Sequence, residues 1–167
     1  MLFASNARIN GLERICRRVA DLGWHLQLLG DISSLHEIIP TFAHLPVPVV
    51  FDHFGHIAAK KGINDPGFIA MFRLLGEGRA WVKLSGAYRL GATDGGHGEA
   101  VNRLATALLA ANPDHVVWGS DWPHPAIGGP MPNDGDVMND LARWVPDSAL
   151  RERILVKNPS RLYGFDD

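Results

Sequence analysis

Cysteine is almost absent: Cys16 is the only one in 167 residues, so no disulfide can form within the chain. Lying in a helical pattern, Cys16 is expected to be a small buried apolar residue. An unpaired thiol also fits a reducing, cytoplasmic setting. Charge of one sign is lacking as well. Sixteen Lys and Arg stand against 18 Asp and Glu, a net charge of −2. No basic field therefore argues for nucleic acid or an anionic membrane as partner. No apolar run approaches the length that spans a bilayer, and residues 1–10 lack the apolar core of a signal peptide. Repeats, low-complexity tracts and interdomain linkers are missing too. What remains is one domain over residues 1–167, 46% hydrophobic and 20% charged, ordinary for a globular protein and large enough to bury a core.

Four short β-type runs stand out, at residues 25–29, 48–53, 80–85 and 115–120. Helix-type segments separate them. Leu12, Ile15, Val19 and Leu22 recur at helical spacing. So do Leu35, Ile38, Ile39 and Phe42, behind Ser33 or Ser34 as N-cap. Phe68, Ile69, Phe72 and Leu75 form a third set between Pro66 and Gly76. Val101, Leu104, Ala105, Leu108 and Leu109 form a fourth, ended by Asn112-Pro113. Two shorter helices are expected at 136–144 and 147–155, and Asn158-Pro159 reads as an N-cap followed by proline at the first helical position.

Strands alternating with helices predict βα units and a parallel sheet. Within the strands one parity is apolar: Leu26, Leu28, Val50, Val82, Leu84, Val116, Trp118. The other carries polar groups: His25, Gln27, His53, Lys83, Ser85, Gly119, Asp121. Residues two apart share a strand face. An open doubly wound sheet is covered on both faces and should be apolar on both. One apolar and one partly polar face suits a barrel. A complete (β/α)₈ barrel has eight strands, and four are visible here, with a trace of a fifth in residues 1–3. The fold expected is α/β: a partial TIM barrel of about four βα units.

Two strand ends carry reactive groups. The run Val116-Val117-Trp118-Gly119-Ser120-Asp121 stops at a carboxylate, and Val49-Val50-Phe51-Asp52-His53 stops at an imidazole. In parallel α/β proteins reacting groups gather at the carboxyl ends of strands. Asp121 reads either as a general base on water or as the cap of its turn. His53 is either a hydrogen-bonded structural residue, a donor to a developing oxyanion, or a metal ligand. His124, in Trp122-Pro123-His124-Pro125, suits positioning and substrate contact equally. Arg89 is solvated surface or a carboxylate clamp. Lys83, on the inner parity, needs a partner such as Asp121. Segments 91–98 and 122–136, rich in Gly and Pro, have the length of lids.

Five blocks taken in order resemble the amidohydrolase superfamily: Leu26-Gln27-Leu28, Val50-Phe51-Asp52-His53-Phe54-Gly55, Val82-Lys83-Leu84-Ser85-Gly86-Ala87-Tyr88-Arg89, Trp118-Gly119-Ser120-Asp121-Trp122-Pro123-His124, and Asn158-Pro159-Ser160-Arg161-Leu162-Tyr163-Gly164-Phe165. Within it the chain is most similar to the C-terminal portion of the 2-pyrone-4,6-dicarboxylate lactonase-like, amidohydrolase-related branch. That resemblance implies a distorted TIM barrel hydrolysing a carbonyl bond, most often that of a lactone. It implies Asp121 as general base, His53 as the group polarising the carbonyl, and Arg89 as the partner of a substrate carboxylate. His124, His56 and Arg8 are further substrate-binding candidates. The superfamily's His-x-His pair has no counterpart here, and where the dicarboxylate lactonase pattern has arginine and tyrosine this chain has His56 and Leu29. The branch is mixed in metal use: either no cofactor, or a divalent ion such as zinc for which His53 and Asp121 would be ligands. The partner expected is a small acidic substrate. Two alternatives stand beside the lactonase: a metal-dependent decarboxylase, and a non-catalytic fragment or self-associating half barrel, a homo-oligomer.

Overall fold

The structure is a computed structural model that describes residues 6–91 and 98–165; the side chains of residues 6–10 are outside the description. Four strands form one parallel sheet in the order β1-β2-β3-β4, with β1 Leu26–Leu28, β2 Val49–Phe51, β3 Ala80–Leu84 and β4 Val116–Trp118. Strand order follows chain order without reversal, so the sheet has no switch point of the doubly wound kind. Sequential winding of parallel strands is the arrangement of a barrel wall, and the molecule is a partial TIM barrel. The helices are α1 Asn6–Ala20, α2 Pro66–Gly76, α3 Glu99–Ala111, α4 Asp134–Trp144, α5 Ser148–Glu152 and α6 Asn158–Tyr163. Among the described residues no helix is long and apolar enough to cross a membrane.

Local chemistry sets most boundaries. Asp65 caps α2 by accepting from the backbone N–H of Gly67 and Phe68, and Pro66 opens the helix, where its missing N–H costs nothing. Asn112 leaves α3 in an extended conformation, and its side chain accepts from Asp114 N to start the turn into β4. Cys16 is buried, as expected.

Three local expectations need correction. The helix predicted over Leu35–Phe42 is instead 3₁₀ structure at Ile32–Ser34 and Ile39–His44. Pro40 has no N–H for an α-helical bond and its ring clashes with the carbonyl four residues back. Ile39 and Phe42 are nevertheless buried, so the apolar spacing found the core and misjudged the helix. The cap of the first turn is Asp31, which accepts from Ser33 N, and not Ser33 or Ser34. Nor is Asn158 an N-cap. It is helical, joined to α5 by one π turn at Arg153–Lys157. Its buried amide donates to Pro113 O at 2.8 Å and Val116 O at 2.6 Å, fixing α6 to the start of β4.

The register corrects the face assignment at β2. Leu28, Phe51, Val82 and Val116 lie in one row across the sheet, and Gln27, Val50 and Trp81 in the next. Val50 thus faces the inner side with Gln27, Trp81, Lys83 and Val117, while Phe51 faces outward. The outer face packs against Phe68, Met71 and Leu75 of α2 and Leu104 and Leu108 of α3 in one core. Each large side chain fully buried there contributes about 1.5–3 kcal/mol. On the inner face Val50, Trp81 and Val117 form a smaller cluster with Leu162 of α6. Above that plug the inner face turns polar, which is where the site lies.

Candidate active site

β2 hands its inner parity to Asp52. This buried carboxylate lies 2.8 Å from Lys83 Nζ and accepts from Gln27 Nε2 at 3.0 and 2.8 Å. Lys83 therefore pairs with Asp52, correcting the expected pairing with Asp121: Asp52 and Lys83 sit side by side on neighbouring strands. Beyond Asp52 the chain enters the left-handed region at His53, Phe54, Gly55 and His56, with φ of 49°, 57°, 74° and 53°. Non-glycine residues rarely sit there, and such geometry clusters at functional sites. The turn, not strand alternation, brings the His53 ring over the rim, where Nδ1 lies 2.8 Å from Ser85 Oγ.

β4 ends in the same way. Asp121 has φ of 69°, and its Oδ1 lies 3.7 Å from His53 Nε2. Its Oδ2 accepts from Tyr88 Oη at 2.5 Å and from Arg89 Nε. Tyr88 and Arg89 come from the single turn Ala87–Leu90 after β3. Gly86 opens that turn with φ of 56°, and a Cβ there would lie 2.9 Å from His53 Nδ1, 3.0 Å from Asp121 Oδ2 and 3.1 Å from Arg89 Cδ. Only a residue without a side chain lets the three converge. A cavity of about 470 Å³ opens beside them, lined by Gln27, Asp52, His53, Lys83, Ser85 and Asp121 among others.

The charges are set by these contacts. Burial acts to raise the pKa of Asp121, but hydrogen bonds from Tyr88 and Arg89, with the charges of His53 and Arg89, outweigh it and leave the carboxyl below its ordinary value. It is an ionised acceptor at neutral pH. Burial lowers the pKa of His53 and prevails over the opposing pull of Asp121 and Asp52, which favours the neutral imidazole. Burial, then the hydrogen bond to Asp121, raise the Tyr88 phenol, so it stays a donor. For Arg89, burial is overcome by its bond and attraction to Asp121, and its pKa is raised.

These shifts carry a sign. Both His53 and Asp121 have depressed folded values, so between folded and unfolded values the unfolded chain holds more protons and stability rises with pH. The His53 contribution is full above its ordinary 6.5 and is lost as pH falls through the folded value; His115, lowered first by burial and then by Arg161, acts alike. The Asp121 contribution is full above 3.8 and lost below it in the same way. Melting temperature is expected to fall from about pH 7.5 to about 5, and to fall less in His53→Asn. Equal slopes in the two proteins would contradict the assignment.

The remaining candidates divide. His56 lies beside His53, ring centroids 6.0 Å apart. His124 is 3% exposed and both its ring nitrogens meet protein partners, Tyr88 Oη at 2.9 Å and Asp134 Oδ1 at 3.1 Å. Arg89 is already engaged, its Nη2 donating to Pro125 O at 2.8 Å, and Nη1 has no partner among the described residues. The Arg8 side chain, the trace strand at 1–3 and most of the segment 91–98 lie outside the described residues. Asp52, Tyr88 and Asp134 were not anticipated, whereas Ser85 lines the cavity as its inner parity predicts. Strand parity could not have found Asp52, because β2 is apolar at all three of its positions. No local signal marks Tyr88 or Asp134, which reach the site through partners 33 and 10 residues away.

A metal does not fit this donor set as it stands. His53 Nε2 and Asp121 Oδ1 are spaced so that both could approach one ion, but a catalytic zinc takes three protein ligands. Among the described residues no cluster of three His, Cys, Asp or Glu forms.

Residues 4–165 match the Amidohydrolase family. A 4-sulfomuconolactone hydrolase of Hydrogenophaga intermedia is 36% identical over 154 residues, 91% of this chain and 50% of that protein. A 2-pyrone-4,6-dicarboxylate hydrolase of Comamonas testosteroni is 34% identical over 160 residues, 91% of this chain and 52% of that protein. The crystal structure of a probable 2-pyrone-4,6-dicarboxylic acid hydrolase from Acinetobacter baumannii, with citric acid bound, superposes with a TM-score of 0.78 at 31% identity, covering 92% of this chain and 57% of that one. The chain spans about half the length of the relatives it matches. With a family match over nearly its whole length and a parallel half cylinder carrying acid and imidazole on one rim, the chain belongs to the Amidohydrolase family.

Proposed function

We propose that this chain carries the water-activating half of a lactone hydrolase acting on a small carboxylated lactone. The observation that carries the reading is the ionised Asp121 carboxylate held 3.7 Å from the His53 ring over a shared cavity. His53 Nε2 faces the Asp121 carboxylate, which only accepts, and this favours the ring hydrogen on Nε2 with Nδ1 accepting from the Ser85 hydroxyl at 2.8 Å. Asp121 Oδ1 accepts a proton from water as the water oxygen bonds to the lactone carbonyl carbon. The carbonyl π pair moves to oxygen, where His53 Nε2–H stabilises it. Collapse reforms the carbonyl and breaks the ring C–O bond, and the departing oxygen takes the proton from Asp121. The product is a ring-opened hydroxy acid. Donors of this kind contribute about 10²–10³-fold when aimed at the developing charge. Arg89 Nη1, His56 and Arg8 serve the substrate carboxylates. The names of the relatives support a lactone as substrate, and the lone thiol, Cys16, suits a cytoplasmic setting.

A second reading concerns assembly. β1 and β4 end the sheet without partners among the described residues, and Trp24, Leu29 and Trp122, which flank them, are exposed. Bare parallel edges beside exposed aromatics favour association with a second half cylinder, including another copy. Both readings meet one experiment: the purified protein, its mass fixed by light scattering, is given 2-pyrone-4,6-dicarboxylate and ring opening is followed by loss of pyrone absorbance. Ring opening supports the hydrolase. Release of CO₂ instead would move the assignment to a decarboxylase, and an inert, monodisperse folded monomer would oppose both readings.

A further inference from the structure

Behind Asp121 runs a line of polar groups that the hydrolytic steps leave unused. Tyr88 Oη lies 2.5 Å from Asp121 Oδ2 and 2.9 Å from His124 Nδ1. His124 Nε2 lies 3.1 Å from Asp134 Oδ1. The backbone shapes the line, because His124 N donates to Asp121 O at 2.7 Å and closes the turn between them. His124 is buried, whereas the Asp134 side chain is 54% exposed. Asp134 begins α4 behind the Asn133 cap, a place where the helix dipole favours an anion.

Counting hydrogens fixes the directions. A carboxylate only accepts, so the bond to Asp134 requires a hydrogen on His124 Nε2. In the neutral ring Nδ1 is then a bare acceptor facing Tyr88. The phenol has one hydrogen and two acceptors within reach, Asp121 on one side and His124 on the other. Its ring is held in place, with the Arg89 guanidinium 5.3 Å from its centroid and the His124 ring at an edge-on 5.7 Å. Rotation about the C–O bond is enough to change which acceptor receives the hydrogen.

We propose that Asp134 and His124 are a positioning pair that fixes one imidazole tautomer and thereby makes Tyr88 a two-way donor, which follows the charge on Asp121 through each turnover. The link to turnover rests on the hydrolase reading above; the tautomer does not. While Asp121 is ionised, the phenol donates to Oδ2. Once Oδ1 has taken the proton from water, Oδ2 becomes the weaker acceptor and the phenol hydrogen turns to His124 Nδ1. No bond to hydrogen is broken among Tyr88, His124 and Asp134, so the steps balance without a co-reactant. Asp121 thus keeps suitable neighbours in both of its states. An imidazolium at His124 would instead donate from Nδ1 and lock the phenol onto Asp121.

The test reads the ring directly. Protein labelled with ¹⁵N-histidine is examined by long-range ¹H–¹⁵N correlation at neutral pH. The expected result for His124 is a protonated Nε2 and an unprotonated Nδ1. Asp134→Asn keeps a carbonyl acceptor and should keep this pattern, while Asp134→Ala should move the ring towards the other tautomer. Two protonated nitrogens, or an Asp134→Ala spectrum identical to the parent's, overturns the proposal. Asp134 is exposed at a helix start, so both variants should fold, and the dispersion of the same spectra checks it. In the lactone assay Asp134→Ala should lower kcat about tenfold with KM unchanged, and Asp134→Asn should restore most of it. The expected tautomer in a protein that opens no lactone would count against the hydrolase and leave the pair intact. Ring opening with kcat unmoved in Asp134→Ala would overturn the two-way donor.

Discussion

Asp121→Asn is expected to lower kcat/KM for lactone opening by about 10²–10⁴-fold, the span that a positioned general base supplies. That is about 3–5 kcal/mol of barrier at 1.36 kcal/mol per decade. Asparagine has nearly the same shape and keeps an oxygen for the Tyr88 hydroxyl. What it loses is the charge and the basic lone pair on Oδ1, the oxygen that faces His53 at 3.7 Å. It also leaves Arg89 without its counter-charge, so a smaller loss of stability should accompany the kinetic one. The two are separable: activity is read at saturating and limiting substrate, stability by urea. A folded Asp121→Asn protein retaining more than a tenth of the parent kcat/KM would remove Asp121 from the base role, and the turn-cap alternative would then stand.

Asp52→Asn should instead act on stability. Removing one partner of a buried ion pair leaves the other charge uncompensated and costs about 3–5 kcal/mol. Lys83 and Asp52 retain 20% and 12% of their side-chain exposure, so a loss of about 3 kcal/mol, the lower end, is expected. The substituted side chain would still meet Gln27, but Lys83 Nζ would face an amide in place of a carboxylate. The double variant Asp52→Asn, Lys83→Met removes both charges and should be less damaging than the two single losses summed, with a coupling of about 0.5–3 kcal/mol. Additive losses would show that the pair, 2.8 Å apart, does not act as a unit.

The pair also marks how far the sequence can be read. Lys83 is legible as an inward cation because Val82 and Leu84 flank it on the opposite parity, and period two is a local property of any strand. Its partner escapes a local reading because β2 is apolar at every position of its three residues. Alternation carries no signal there, and the face of Val50 and Asp52 is set by register against Gln27 and Trp81. The third helix-type segment lies where the sequence puts it because Pro66, Gly76 and the apolar stripe between them agree within eleven residues. Residues 35–42 depart from expectation because the stripe is real and Pro40 forbids the helix that would have used it.

The sequence by itself determined that the fold is βα-wound, that its strands are parallel, and that an acid and an imidazole stand at two strand ends. Those are consequences of short-range periodicity and of blocks of consecutive residues. Only the tertiary structure decided how the ends are used. Left-handed backbone at His53 and Asp121, the bare Cα of Gly86 between them, and the choice of Asp52 for Lys83 and of Tyr88 for Asp121 depend on chain segments about thirty residues apart. Contacts over that separation follow from how the strands are wound and staggered, and no local pattern encodes them.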